Sequence, residues 1–180
     1  MILLDPDLEA HPAPSTTSAK QMAASGTPAA ENYLRLPAAR TLARFLAEAQ
    51  TAIRLRGQVT VLLTTDAAIR KLNRQFRHKD KPTDVLSFPA DGSFPAAGIG
   101  AEKLAGDLAI SVPTARKQAI EQGHSLSTEI KVLILHGLLH LAGHDHEADE
   151  GKMARRERQL RAKLGLPQGL IARAAKVKKL

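Results

Sequence analysis

Three histidines in one short stretch of the chain have the spacing of metal ligands. His136 and His140 are four residues apart, which places both imidazoles on one face of a helix, one turn apart. Gly143 follows three residues later, where a left-handed residue can end a helix and turn the chain back. His146 then comes from the returning segment, so three ring nitrogens can converge. We therefore predict a tri-histidine metal site with an open coordination position, which is typical of catalytic zinc.

The residue after the first histidine separates this site from a zinc peptidase. Peptidases with the pattern H-E-x-x-H-x-x-G-x-x-H have the same spacing and use the glutamate as general base. Here that position is Gly137, so the pattern keeps the zincin-like ligands and lacks the base. An atypical zinc peptidase-like hydrolase is one alternative. Another is a pair of core histidines in an apolar helix, where each ring would need a polar partner.

Carboxylates near a metal site usually orient the imidazoles. Asp84, Asp107 and Asp145 are the candidates for this role, although Asp145 also suits a turn. His144 lies in the predicted turn, and we interpret it as a residue that orients a ligand or faces solvent. Zinc held by three neutral imidazoles can activate water near neutral pH and can polarise a phosphoryl or carbonyl oxygen.

Basic residues are concentrated in two parts of the chain, whose formal net charge is +8. Residues 151–180 contain ten Lys and Arg against one Glu, whereas residues 1–150 are close to neutral. The segment 70–81 carries six basic residues and one Asp. This distribution predicts a polyanionic partner, with a solvated basic tail as the alternative. Aromatic residues make up only 3%, so the phosphate backbone would be the main contact with a nucleic acid.

The order of predicted elements indicates an α+β fold with helices packed on a small mixed sheet. Apolar and β-branched runs predict strands near 2–8, 59–64, 84–88 and 106–111. Helical periodicity and cap residues predict helices near 37–55, 66–77, 113–122, 127–143 and 148–164, with Asp66 and then Ser127 or Thr128 as caps of the second and fourth.

We predict a single catalytic domain over 1–166 and a basic tail over 167–180. A Pro-, Ser-, Thr-, Ala- and Gly-rich stretch at about 10–30 predicts a flexible insertion. No cysteine is present, which excludes disulfides and thiolate ligands and fits a reducing compartment. With neither a signal peptide nor a membrane span in the sequence, we expect a soluble, cytoplasmic protein without a membrane partner.

Three blocks of the chain resemble the YbeY family of bacterial endoribonucleases. They are FRHKDKPTDVLSF at 76–88, GDLAIS at 106–111 and HGLLHLAGHDH at 136–146, and they follow the family's order. His144 stands where the family usually has tyrosine. The resemblance implies a four-stranded sheet with the histidine helix at its centre. It also implies a metal-dependent, single-strand-specific endoribonuclease that matures the 3′ end of small-subunit ribosomal RNA and acts in ribosome quality control.

The resemblance and the charge requirement of the reaction together assign the remaining site residues. Phosphodiester cleavage needs positive charge on the non-bridging oxygens, and a guanidinium supplies it bidentately. Arg77 is the catalytic candidate because it ends a predicted helix and lies in the first block; a surface arginine is its alternative role. Lys79 and Lys81 are predicted to bind substrate. We expect one zinc ion per chain and ribosomal RNA and the ribosome as partners. A non-catalytic ribosome assembly factor with a structural metal is the remaining alternative.

Overall fold

Four strands form one sheet within the residues that this computed structural model describes, which are 1–10, 33–90, 103–144 and 151–167. The strands are β1 (Ile2–Leu4), β2 (Gln58–Thr64), β3 (Val85–Pro89) and β4 (Leu104–Ser111). Their order across the sheet is β1-β2-β4-β3. β1, β2 and β4 run parallel, and β3 pairs antiparallel with β4. The predicted small, four-stranded mixed sheet is confirmed.

The described residues also form five helices of more than two turns and one short helix. They are α1 (Asp7–Ala10), α2 (Ala39–Ile53), α3 (Asp66–Arg77), α4 (Val112–Gln122), α5 (Leu126–Leu141) and α6 (Lys152–Lys163). Helix α5 packs on β3 and β4 and also contacts α2, α4 and α6. The α+β class with the histidine helix at the centre is therefore confirmed. In the described ranges, none of the helices is long and apolar enough to cross a membrane.

Two helices begin one residue or more before the position that the sequence predicts. Thr65 has an extended backbone and its side chain accepts a hydrogen bond from the backbone N–H three residues on, so it caps α3 and Asp66 is the first helical residue. Ser125 caps α5 in the same way, at 3.1 Å from the backbone nitrogen of Thr128. The prediction of Ser127 or Thr128 as this cap is wrong, because several hydroxyl residues compete at one helix start.

The two faces of the sheet are covered by different helices. Neighbouring residues of a strand point to opposite faces. Leu108 and Ile110 of β4 belong to the large core that α2 and α5 fill. Ala109, between them, packs with Leu86 of β3 and Ile69 of α3 in a smaller cluster. Helices α3 and α5 therefore lie on opposite faces of the sheet.

The predicted insertion and tail fall almost entirely outside the described residues. Residues 11–32 and 168–180 are not described, so the flexible insertion at about 10–30 and the basic tail at 167–180 stay predictions. The division into a single domain over 1–166 is likewise a prediction.

Candidate metal centre

The accessible residues of the second half of α5 are its two histidines. Between Val132 and Leu141 every residue is buried except His136 and His140, which are partly exposed. Their Nε2 atoms lie 3.2 Å apart, and the ring planes cross at 75°. Two imidazoles on one tetrahedral zinc, each at ~2.0–2.1 Å, have nitrogens ~3.3 Å apart. The spacing and direction of this pair fit two ligands of one metal ion.

A buried carboxylate contacts the other nitrogen of the first histidine. Nδ1 of His136 lies 3.1 Å from Oε2 of Glu157, which is on α6 and only 3% exposed. When Nδ1–H donates to this carboxylate, the lone pair stays on Nε2, the nitrogen that faces His140. A carboxylate in this place fixes the tautomer and the ring orientation of a metal-binding histidine.

Glu157 is held in turn by a buried arginine. The Arg161 guanidinium donates to Oε1 of Glu157 and, at 2.8 Å, to the backbone carbonyl of Pro167. Burial raises the pKa of Glu157. The hydrogen bond and charge of His136, and then those of Arg161, outweigh this effect and hold the pKa below its ordinary value. The carboxylate is therefore ionised at neutral pH and can accept hydrogen bonds from both partners.

Helix α5 ends as the sequence predicts. Gly143 has a φ of +86°, its backbone nitrogen donates to the carbonyl of His140, and the nitrogen of His144 donates to that of Leu139. The chain therefore leaves the direction of α5 within a few residues of the second histidine. His146 and Asp145 lie within 145–150, outside the described residues. In the described part of the chain, no group of three His, Cys, Asp or Glu side chains that could hold a metal is assembled.

Gly137 faces the sheet, not the histidine pair. A Cβ atom built on it would lie 2.7 Å from Cδ2 of Leu108 and 3.2 Å from Oγ of Ser87. The close approach of α5 to β3 and β4 therefore leaves no room for a side chain at this position. Close packing against the sheet thus explains why glycine stands where the peptidases have glutamate. The same glycine leaves the site without the peptidase base.

The predicted phosphate-binding residues lie at the end of α3. Arg77 is the last residue of that helix, and its side chain and those of Lys79 and Lys81 are exposed. Helix α3, which ends at Arg77, and helix α5, which carries the histidines, cover opposite faces of the sheet. Strand β3 is an edge of the sheet, so one polymer can contact both faces by passing around it.

Two contacts fix the loop that carries the lysines. Arg70 donates to both carboxylate oxygens of Asp80, at 2.8 and 2.9 Å. The side chain of Asn73 donates to the carbonyl of Lys81 at 2.7 Å. The guanidinium of Arg70 is thereby paired with an acid, so its charge is partly neutralised before any ligand binds.

The carboxylate beside the histidines is one that the sequence analysis missed. Asp84 instead bonds the backbone nitrogen of Val85 and the side chain of Gln118, and the exposed Asp107 points to the α3 face of the sheet. Glu157 could have been found from its position. It lies on the same side of α6 as the core residues Met153 and Leu160, which are four and three residues away. An acid on an apolar helix face requires a polar partner.

Sequence comparisons with known proteins point to one family. The family model described as Endoribonuclease YbeY matches residues 27–165. A relative named Endoribonuclease YbeY from Koribacter versatilis is 53% identical, covering 76% of this chain and 84% of the relative. One of the same name from Solibacter usitatus is 51% identical, covering 78% and 86%. A solution structure from Thermotoga maritima aligns with a TM-score of 0.47 and 26% identity, covering 73% of this chain and 86% of its own. The chain belongs to the YbeY family of endoribonucleases.

Proposed function

We propose that this chain is a zinc-dependent endoribonuclease that cuts single-stranded ribosomal RNA, at the 3′ end of the small-subunit RNA, in maturation and quality control of the ribosome. Membership of the family makes it an endoribonuclease, a hydrolase of RNA phosphodiester bonds. Zinc, the ribosome as partner and the cytoplasm as its location are parts of the proposal. A ribosomal substrate is consistent with the basic surplus of the chain.

The observation that carries the proposal is the arrangement around His136. Its Nε2 lies 3.2 Å from that of His140, while its Nδ1 faces the buried Glu157. This donor set suits zinc, with His146 as the proposed third ligand. Bound there, zinc would supply a Lewis acid for a phosphoryl oxygen and would lower the pKa of water. The chain's own task is to hold the imidazoles in the orientation that a metal requires, which Glu157 and Arg161 support.

Arg77 is proposed to stabilise the charge that develops on the phosphate. Its guanidinium is exposed at the end of α3, where it can bind two non-bridging oxygens at once. Lys79 and Lys81, in the loop that follows, are proposed to bind neighbouring phosphates of the RNA backbone. Their side chains are also exposed, as this role requires.

Two other functions fit these residues less well. An atypical peptidase-like hydrolase lacks a base at Gly137, and this position faces the sheet. A non-catalytic assembly factor disagrees with a family that is named for its endoribonuclease activity.

A cleavage assay on ribosomal RNA, together with elemental analysis of the metal, tests the proposal. Purified protein should contain one zinc ion per chain and should lose RNA cleavage in a chelator. Replacing His136, His140 or His146 by Ala should remove most of the zinc. Full zinc content in His146→Ala would contradict the three-ligand site, and cleavage of casein without cleavage of RNA would contradict the function.

The contribution of Arg77 is tested with a matched arginine on the same helix. Arg77→Ala should keep its zinc and cut RNA about a hundredfold more slowly, the scale of losing one transition-state donor. Arg77→Lys should recover only part of the rate, because an ammonium cannot bind bidentately. Arg74→Ala, an exposed arginine three residues earlier, should weaken binding without such a loss in kcat. A normal rate in Arg77→Ala would refute the assigned role.

A further inference from the structure

One exposed aromatic ring stands beside the basic loop. The chain has only four Phe and one Tyr, and Phe76, next to Arg77 at the end of α3, is 55% exposed. It meets Phe88 of β3 edge to face, with ring centroids 5.1 Å apart. We propose that Phe76, backed by Phe88, is a stacking platform for one unpaired base of the RNA, an inference that rests on the proposed function.

The charges around the ring suit a polyanion. Five basic side chains of α3 and the following loop are exposed and have no acidic partner in an ion pair of the described chain: Lys71, Arg74, Arg77, Lys79 and Lys81. Two acids belong to the same region. Asp80 is paired with Arg70, and the exposed Asp107 is the cross-strand partner of Phe88. The net positive charge of this surface is therefore large beside Phe76 and smaller towards Phe88.

This combination of an exposed ring and surrounding cations is how proteins bind single-stranded nucleic acids. Phosphates contact the cations, and the bases stack on aromatic side chains. Stacking is possible because the faces of unpaired bases are accessible, unlike those in a duplex. A protein partner would also cover an apolar ring, but an interface core is depleted in charged residues. The dense positive charge beside Phe76 favours RNA.

The strand that carries Phe88 connects the platform to the histidine side. Ser87, the preceding residue, points to the other face, where its Oγ lies 3.4 Å from the carbonyl oxygen of Gly137, next to His136. An RNA strand that passes around the edge strand β3 would thus bind Phe76 on one face and reach the histidines on the other. Phe76 would hold a nucleotide beside the one that is cut and would not touch the reacting atoms.

Steady-state cleavage of a single-stranded oligoribonucleotide by the zinc-loaded protein separates stacking from other roles. Phe76→Leu keeps an apolar side chain but removes the π face, so it should raise KM about tenfold, within the ~5- to ~150-fold that one stacked base is worth. kcat should change little. Phe76→Tyr should behave like the wild type. The dependence of binding on salt should stay the same in both, because no charge is altered.

Tryptophan fluorescence provides a direct readout, since the chain contains no Trp. Phe76→Trp introduces a single indole at the platform, and stacking of a base should quench its emission on rapid mixing, before cleavage. A series of oligonucleotides should then be tested, each with a single abasic site at a different position. The one whose abasic site falls at the platform should no longer quench the emission. Tyr33→Trp is the control, because Tyr33 is also exposed and its hydroxyl donates to the carbonyl of Gly123, at the end of α4. Its emission should not change.

The outcomes distinguish this inference from the proposed function. Cleavage of RNA with unchanged KM in Phe76→Leu and no quenching in Phe76→Trp would overturn the platform and leave the function intact. If Phe76→Leu also changed the concentration dependence of the oligomeric state, the ring would belong to a protein interface instead. Failure of the wild type to cut any RNA would refute the proposed function itself.

Discussion

Nδ1 of His136 and Oε2 of Glu157 lie 3.1 Å apart, although 21 residues separate them in the sequence. The two residues belong to different helices, α5 and α6, and the contact joins the candidate metal centre to the C-terminal part of the described chain. Arg161 extends the connection to the carbonyl of Pro167. The orientation of a proposed metal ligand thus depends on a helix outside the histidine motif.

Replacing Glu157 should weaken metal binding without removing a ligand. Glu157→Gln keeps the shape but loses the charge that orients His136, so zinc affinity, measured by competition with a chelator, should fall by about 10- to 100-fold. Glu157→Ala should in addition lower the free energy of unfolding by about 3–5 kcal/mol, because it leaves the buried Arg161 without its carboxylate. Wild-type affinity in both variants would show that the contact has no part in metal binding.

Gly137→Glu should fail to create a peptidase and should destabilise the fold. The new side chain would start 2.7 Å from a methyl group of Leu108, which is 1% exposed. Overpacking of a core typically costs about 1–3 kcal/mol, and a buried carboxylate adds to this. Urea denaturation should show a marked loss of stability, and casein should stay uncut.

A double-mutant cycle tests the packing reason for this glycine. Gly137→Ala should be less stable than the wild type despite the better helix propensity of alanine. Leu108→Val removes the methyl groups that lie closest to the new Cβ, so the two changes together should cost less than their sum, by at least ~0.5 kcal/mol. Additive effects would mean that Leu108 does not restrict position 137.

The pair of Arg70 and Asp80 should respond to pH in the acid range. The hydrogen bond from Arg70 holds the pKa of Asp80 below its ordinary value; burial acts in the opposite direction. A carboxyl group with a lowered folded-state pKa stabilises the folded state above its unfolded pKa, near pH 4, and this contribution is lost as the pH falls through the folded value. Both groups are exposed, so the effect on total stability is small.

A titration of the Asp80 carboxyl carbon by NMR measures this effect. The midpoint should lie below that of an ordinary aspartate in the wild type and should rise towards the ordinary value in Arg70→Gln. Arg74, which also lowers this pKa through its charge, should have a smaller influence when it is replaced by Gln. An ordinary midpoint in the wild type would show that the pair does not form in solution.

Deletion of residues 172–180 should reduce the electrostatic part of RNA binding. The deletion removes four basic residues, Arg173, Lys176, Lys178 and Lys179. A plot of log K against log salt should lose up to ~3 units of slope, at ~0.7 for each phosphate that is no longer neutralised. Zinc content and unfolding should stay as in the wild type. An unchanged slope would identify the tail as a solvated segment without a role in RNA binding.

Local patterns in the sequence determine much of this protein. The four-residue spacing of His136 and His140 and the glycine at 143 predict a helix with two imidazoles on one face and a left-handed end, and all three features are present. Apolar periodicity also predicts the strands and the longer helices to within a few residues. These features depend on interactions within one or two turns or along one strand, so the local sequence suffices.

The tertiary structure alone decided which distant groups meet. It brought Glu157 to His136, placed Gly137 against Leu108 and put helix α3, which ends at Arg77, on the other face of the sheet from the histidine helix. Such relationships depend on the register of the strands and on which helix covers which face, and contacts between residues far apart in the chain set both. The sequence therefore predicted the two histidines on one face of α5 but not the carboxylate that contacts one of them.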